Sequence, residues 1–100
     1  MTDRLPDGAE PYKRTATFDE ASVPSALLRD HATRQGTWGV IRVERGHLLY
    51  AVTDPRRPAS ETIVTPDAPA IIEPTILHRV EPLGAVAFHV EFHRVAGVAG

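Results

Sequence analysis

From Trp38 to Val52 the chain reads WGVIRVERGHLLYAV, and from Ala85 to Val95 it reads AVAFHVEFHRV. In the second stretch Val86, Phe88, Val90 and Phe92 alternate with Ala87, His89, Glu91 and His93, the period of two that marks a strand with one buried face. The first is equally rich in β-formers but is interrupted by Glu44-Arg45-Gly46, the composition of a tight turn, so it reads as a hairpin of Trp38 to Glu44 and His47 to Thr53.

Working outward, Asp54 to Ser60 is a polar loop, Glu61 to Thr65 a short strand, Pro66 to Pro69 a turn, Ala70 to Glu73 a strand, and Leu77 to Glu81 another. Pro82-Leu83-Gly84 then reads as a turn into the long alternating stretch. Upstream, Arg14 to Phe18 suits an edge strand. Val23 to Asp30 has room for one or two helical turns, with Pro24 in the first turn, Ser22 near the cap, and Leu27 and Leu28 facing inward. Residues 1–12, polar and carrying Pro6, Gly8 and Pro11, read as an N-terminal tail, residues 13–95 as one domain, and residues 96–100 as a frayed end. About seven short strands with no long amphipathic helix imply an all-β sandwich or barrel in a small single domain.

Composition removes several function classes. Eleven Lys plus Arg against thirteen Asp plus Glu leave a net charge of −2, without the basic stripe that nucleic acid or an anionic membrane surface requires. There is no cysteine, hence no disulfide, no thiolate zinc site and no thiol nucleophile. The N-terminus has no apolar signal region, and no stretch approaches the length of a membrane span, so a cytoplasmic protein is the expectation. GxGxxG, GxxxxGK[ST] and GxSxG are all absent, and Ser22, Ser25 and Ser60 sit where loops and helix starts account for them.

The remaining chemistry lies in five histidines, His31, His47, His78, His89 and His93. His89 and His93 fall on the polar stripe of the alternating strand and read as solvated. His47, after the glycine of the turn, reads as exposed. Trp38, Phe88 and Phe92 read as core, and Arg42 and Glu44 as cross-strand pairing partners. His31 and His78 stand instead at the mouths of strand runs. In Glu73-Pro74-Thr75-Ile76-Leu77-His78, Pro74 holds Glu73 extended and ends its strand, so a bend can aim a carboxylate and an imidazole into one space. With His31 from elsewhere this makes a two-His, one-carboxylate set of the kind that holds Fe(II) or Zn²⁺ with open positions. A buried Glu73–His78 hydrogen-bonded pair satisfies the same spacing.

HATRQGTWGVIRVERGHLLY (His31 to Tyr50), IIEPTILHRVEP (Ile72 to Pro82) and FHVEF (Phe88 to Phe92) together resemble the small cupin-like family of TehB/YeaR type, the N-terminal-domain type of tellurite resistance protein B. The lead-in TFDEASVPSALLRD is similar too, so the resemblance runs from about Thr15 to Arg94. It implies a cupin double-stranded β-helix barrel with a site in the barrel mouth. Within that pattern His31 looks like the histidine of the first cupin motif, Thr33 stands where a second would fall, Gly46 closes the motif, and the motif's usual glutamate position falls near Gly39. His78 resembles the histidine of the second motif, and Glu73 the acid beside it. Two of the four usual ligands are therefore replaced. Members that methylate carry an additional S-adenosylmethionine-dependent domain, which this length of chain does not accommodate, so the implied role is in responses to tellurite, oxidant or nitrosative stress.

The leading expectation is one divalent metal ion, Zn²⁺ or Fe(II), held by His31, Glu73 and His78, with Arg79, Glu91 and Trp38 supplying surrounding hydrogen bonds or ligand contacts. A small molecule or oxyanion would reach its open positions. The alternatives are a metal-free binding module for a small apolar or anionic ligand, and a homodimeric interaction module pairing through edge strands or the Val86 to Phe92 stripe.

Overall fold

The computed structural model describes residues 4–95. These form β1 (Ala9–Arg14), β2 (Phe18–Asp19), a single 3-10 turn (Ser25–Leu28), β3 (Trp38–Val52), β4 (Ser60–Val64), β5 (Ala70–Ile72) and β6 (His78–Val95). The all-β expectation holds: one antiparallel sheet runs in the order β1-β6-β3-β4, with β2 added on β6 and β5 on β3.

The frame is a long antiparallel ribbon of β3 and β6 that pairs from Trp38↔His93 to Val52↔His78. Its inward side chains explain its shape. Ile41 and Val43 are buried at odd positions of β3, whereas Leu48, Tyr50 and Val52 are buried at even ones. A strand with strict period two cannot switch parity without an extra residue, so β3 must bulge between them. The register against β6 does shift between Val43 and Arg45 and again between Gly46 and Leu48. Glu44-Arg45-Gly46 is thus a bulge in a continuous strand and not the hairpin turn its composition suggests. Gly46 has φ +80°, and a Cβ there would lie 2.2 Å from the Ala85 carbonyl oxygen. Only glycine fits both demands.

Pro82-Leu83-Gly84 is likewise no turn, because β6 passes through it. Leu48 pairs with Pro82 and Gly46 with Val86, so three residues of β6 bulge opposite His47, with Gly84 at φ +86°. The two bulges face each other and fold the ribbon into two halves. Inward residues from both, including Phe88, Ile41, Val86, Leu48 and Val80, form one hydrophobic cluster with Val64 of β4.

Residues 9–12, read as tail from their composition, are instead the first part of β1, which pairs with the end of β6 from Ala9↔Val95 to Arg14↔Glu91. The edge strand therefore begins earlier than expected and breaks at Thr15, resuming as β2. Met1 to Asp3 and the frayed end at 96–100 lie outside the described residues. The segment around Pro24 makes only the 3-10 turn. Ser22 does not cap it but exchanges hydrogen bonds with Asp19; Leu27 packs on the core while Leu28 is exposed. Trp38 is half-buried opposite His93 and is not in the core cluster. No helix among the described residues is long and apolar enough to cross a membrane.

Candidate functional site

His31 and His78 meet through both backbone and side chain. Each donates its backbone N–H to the other's carbonyl at 2.9 Å, an isolated bridge that docks the segment after Arg29 on the start of β6. The rings lie edge to face, with centroids 4.2 Å apart. His31 Nδ1 donates to the Arg29 carbonyl at 2.9 Å, and His78 Nδ1 donates to the Ile76 carbonyl at 2.8 Å. A carbonyl only accepts, so both Nδ1 atoms carry the proton and both Nε2 atoms carry the lone pair when the rings are neutral. Burial pushes the His78 pKa down to about 4, the Ile76 carbonyl opposing it, so this ring is neutral at physiological pH. The Tyr50 ring stacks obliquely on His78 at 5.5 Å. Burial, reinforced by the charge of Glu73, pushes the Tyr50 phenol up to about 12.

A clamp in the loop after β3 delivers His78. The Asp54 carboxylate, 3% exposed, accepts from Leu77 N at 2.9 Å, Arg56 N at 2.8 Å, and the Arg56 guanidinium at 2.9 and 2.8 Å. Arg56 also donates to the Thr75 carbonyl at 2.6 Å. The Arg56 side chain, with the Leu77 and Arg56 amides behind it, holds the Asp54 pKa far below the carboxylate range. Thr75, at φ 68°, donates its N–H to the Thr33 carbonyl at 3.1 Å, and Thr33 Oγ1 donates to the Thr37 carbonyl at 2.7 Å. These bonds tie residues 31–37 to the turn preceding β6.

The two histidines line a cavity of about 500 Å³, together with Tyr12, Lys13, Thr15, Leu27, Thr33, Arg34, Thr37, Ile72, Val90 and Phe92. It opens on the β1 flank of the ribbon. A smaller cavity of about 150 Å³, lined by Tyr50, Arg57, Ser60, Thr62 and Glu73 among others, opens on the β4–β5 flank. Glu73 belongs to this second space. Its carboxylate accepts from Arg57 Nε at 3.0 Å and from the second guanidinium nitrogen of Arg57.

Of the three side chains read as a ligand set, the structure therefore joins His31 and His78 and gives Glu73 to Arg57. Among the described residues no three His, Cys, Asp or Glu side chains gather where they could hold a metal ion. The imidazoles have the donor chemistry for a metal, but the carboxylate half of the set does not fit.

The other singled-out residues lie away from the cavity. Arg79 pairs with Glu81 at 3.5 Å. Glu91 belongs to a network on the outer face of the ribbon, with Trp38 paired opposite His93, and there His89 and His93, expected to be solvated, are only 7% and 6% exposed. His89 Nδ1 donates to Glu44 at 2.8 Å, His93 Nε2 donates to Glu91 at 3.3 Å, and Arg42 pairs with Glu91 at 2.9 Å. Alternation correctly assigned these histidines to the outer face, but there they are buried and hydrogen-bonded to Glu44 and Glu91. Sequence reading missed Lys13, Thr15 and Arg34 in the cavity and Asp54 behind it. The Asp-Pro-Arg string, a favoured turn opening, was the available signal for the last.

Comparison with known proteins places this geometry. The TehB-like domain matches residues 13–90. A protein named probable S-adenosyl-L-methionine-dependent methyltransferase TehB, from Haemophilus influenzae, is 34% identical over 74 residues, covering 72% of this chain and 26% of the relative. Its counterpart from a second strain is 32% identical over the same span. The chain thus spans about a quarter of the length of the curated relatives it matches. The crystal structure of TehB from H. influenzae superposes with a TM-score of 0.80 at 26% identity, covering 89% of this chain and 32% of that one. A protein of Escherichia coli K12 shares the fold, with a TM-score of 0.80 at 15% identity over 92% of this chain and 96% of its own. With the family match covering most of the chain and the paired histidines inside it, this protein belongs to the TehB-like domain family.

Proposed function

We propose that this domain binds a small oxyanion in the cavity that His31 and His78 line, in the tellurite or oxidant response that its family resemblance implies. A cupin-type barrel, proposed for the folded β3–β6 ribbon, would put that cavity at its mouth. One observation carries the reading: two cations, Lys13 and Arg34, line the same space as the imidazole pair, and neither enters an ion pair among the described residues. Cations left without a carboxylate partner beside a concave site supply the charge that attracts and orients an anion. The methyl transfer is in the name of relatives of which this chain spans about a quarter.

The test is calorimetric titration with tellurite in the presence of EDTA. Saturable binding that weakens in Lys13→Ala and Arg34→Ala supports the reading, and no heat at millimolar tellurite rejects it. A second reading puts a divalent metal ion on His31 and His78, favoured by the Nδ1–H donors that both rings give to backbone carbonyls, the orientation typical of metal-bound imidazole. Retention of stoichiometric Zn²⁺ or Fe(II), lost in His31→Ala, would support it; retention unchanged in that variant would reject it.

A further inference from the structure

We propose that the cavity selects oxyanions of weak acids, which keep a hydroxyl proton near neutral pH, over the fully deprotonated oxyanions of strong acids. This rests on the oxyanion reading above and names which members of that class enter. The argument concerns where protons already are. His31 and His78 each commit their ring proton to a backbone carbonyl, leaving Nε2 an acceptor. No hydrogen bond reaches either Nε2 among the described residues.

The Thr15 and Thr33 hydroxyls are committed in the same sense. Thr15 Oγ1 donates to the Ala16 carbonyl at 2.8 Å while accepting from Val90 N at 3.0 Å. Thr33 Oγ1 donates to the Thr37 carbonyl at 2.7 Å. The imidazole Nε2 atoms beside them offer lone pairs, whereas Lys13 and Arg34 bring donors and positive charge to the same cavity and the Tyr12 and Thr37 hydroxyls bring further donors.

A bare oxyanion therefore meets cations on one side and lone pairs on the other. An anion with an X–OH group satisfies both, because its hydroxyl donates to imidazole Nε2 while its charged oxygens face Lys13 and Arg34. Sites built around one hydrogen-bond polarity reject the isostere that cannot match it, since buried partners are left unpaired.

Hydrogen phosphate and sulfate, close in shape and size, are the probes, titrated calorimetrically with EDTA at pH 8, where phosphate keeps one proton and sulfate none. Hydrogen phosphate should bind at least about 100-fold more tightly than sulfate. Equal binding of the two overturns the selection while leaving the oxyanion reading intact. If neither these probes nor tellurite binds, the underlying reading fails and the selection with it. Long-range ¹H–¹⁵N spectra of the imidazoles give a second readout on the native chain. They should report Nδ1–H tautomers for His31 and His78, and an Nε2–H tautomer at either ring would overturn the proposal.

Discussion

Replacing Gly46 by alanine separates the bulge from the turn that its composition suggests. Two penalties apply. At φ +80° an alanine pays roughly 1–2 kcal/mol for left-handed backbone, offset by about 0.4–1 kcal/mol from the stiffer unfolded chain. The added Cβ would also sit 2.2 Å from Ala85 O and 3.0 Å from Val86 Cα, both backbone atoms of the paired strand that no rotamer change can move. Relief requires parting β3 from β6 locally, which breaks or stretches ladder hydrogen bonds worth about 1 kcal/mol each. With two or three such bonds lost, the total comes to about 2–4 kcal/mol. Gly84→Ala is the control, because Gly84 has nearly the same φ, +86°, but nothing within 4 Å of its Cβ position. It should cost about 1 kcal/mol or less. Urea unfolding of the two variants, compared at equal m-value, measures the difference. If Gly46→Ala costs no more than Gly84→Ala, Gly46 is not packed against β6 and the continuous β3–β6 ribbon is refuted.

Stability should fall on acidification from about pH 6.5 to about pH 4. Native His78 binds its proton only near the lower value, so the unfolded chain holds more protons throughout that window. The loss amounts to about 3 kcal/mol by linkage. Urea midpoints across this range read it, and His78→Phe should flatten the profile there; an unchanged slope would contradict a buried neutral imidazole. The carboxylates with lowered pKa values, Asp54 among them, lose their contributions only further down, as pH falls below their ordinary range. Asp54→Ala should lower the melting temperature by more than about 5 °C, because it frees Leu77 N and the loop that positions His78. It should also weaken tellurite binding although Asp54 does not line the cavity. A stable variant with native binding would show that the clamp does not set the histidine.

How much of this was legible in the sequence differs from residue to residue. The strand content was written in the alternation of Val86 to His93, and the all-β class follows from it. The turn at Gly46 was misread because a glycine at positive φ serves a hairpin and a bulge equally well. What separates them is the partner strand some forty residues downstream. The parity switch between Val43 and Leu48 was compatible with either. Glu73 was correctly placed at a strand end, yet spacing does not say which side of the ribbon a carboxylate faces. Arg57, an ordinary loop residue in sequence, captured it. His31 and His78 came together as expected, since each stands at the mouth of a strand run. Lys13 escaped notice because it follows a stretch whose composition suggests a tail, whereas strand pairing with Phe92 directs it to the cavity.

The most direct test of the account follows backbone amide chemical shifts while tellurite is added to the ¹⁵N-labelled chain in EDTA. Shifts concentrated at Lys13 to Thr15, His31 to Thr37 and His78, saturating together, are the predicted result. Saturation that instead moves Tyr50, Arg57 and Glu73 in the opposite cavity, or no movement at all, would contradict it.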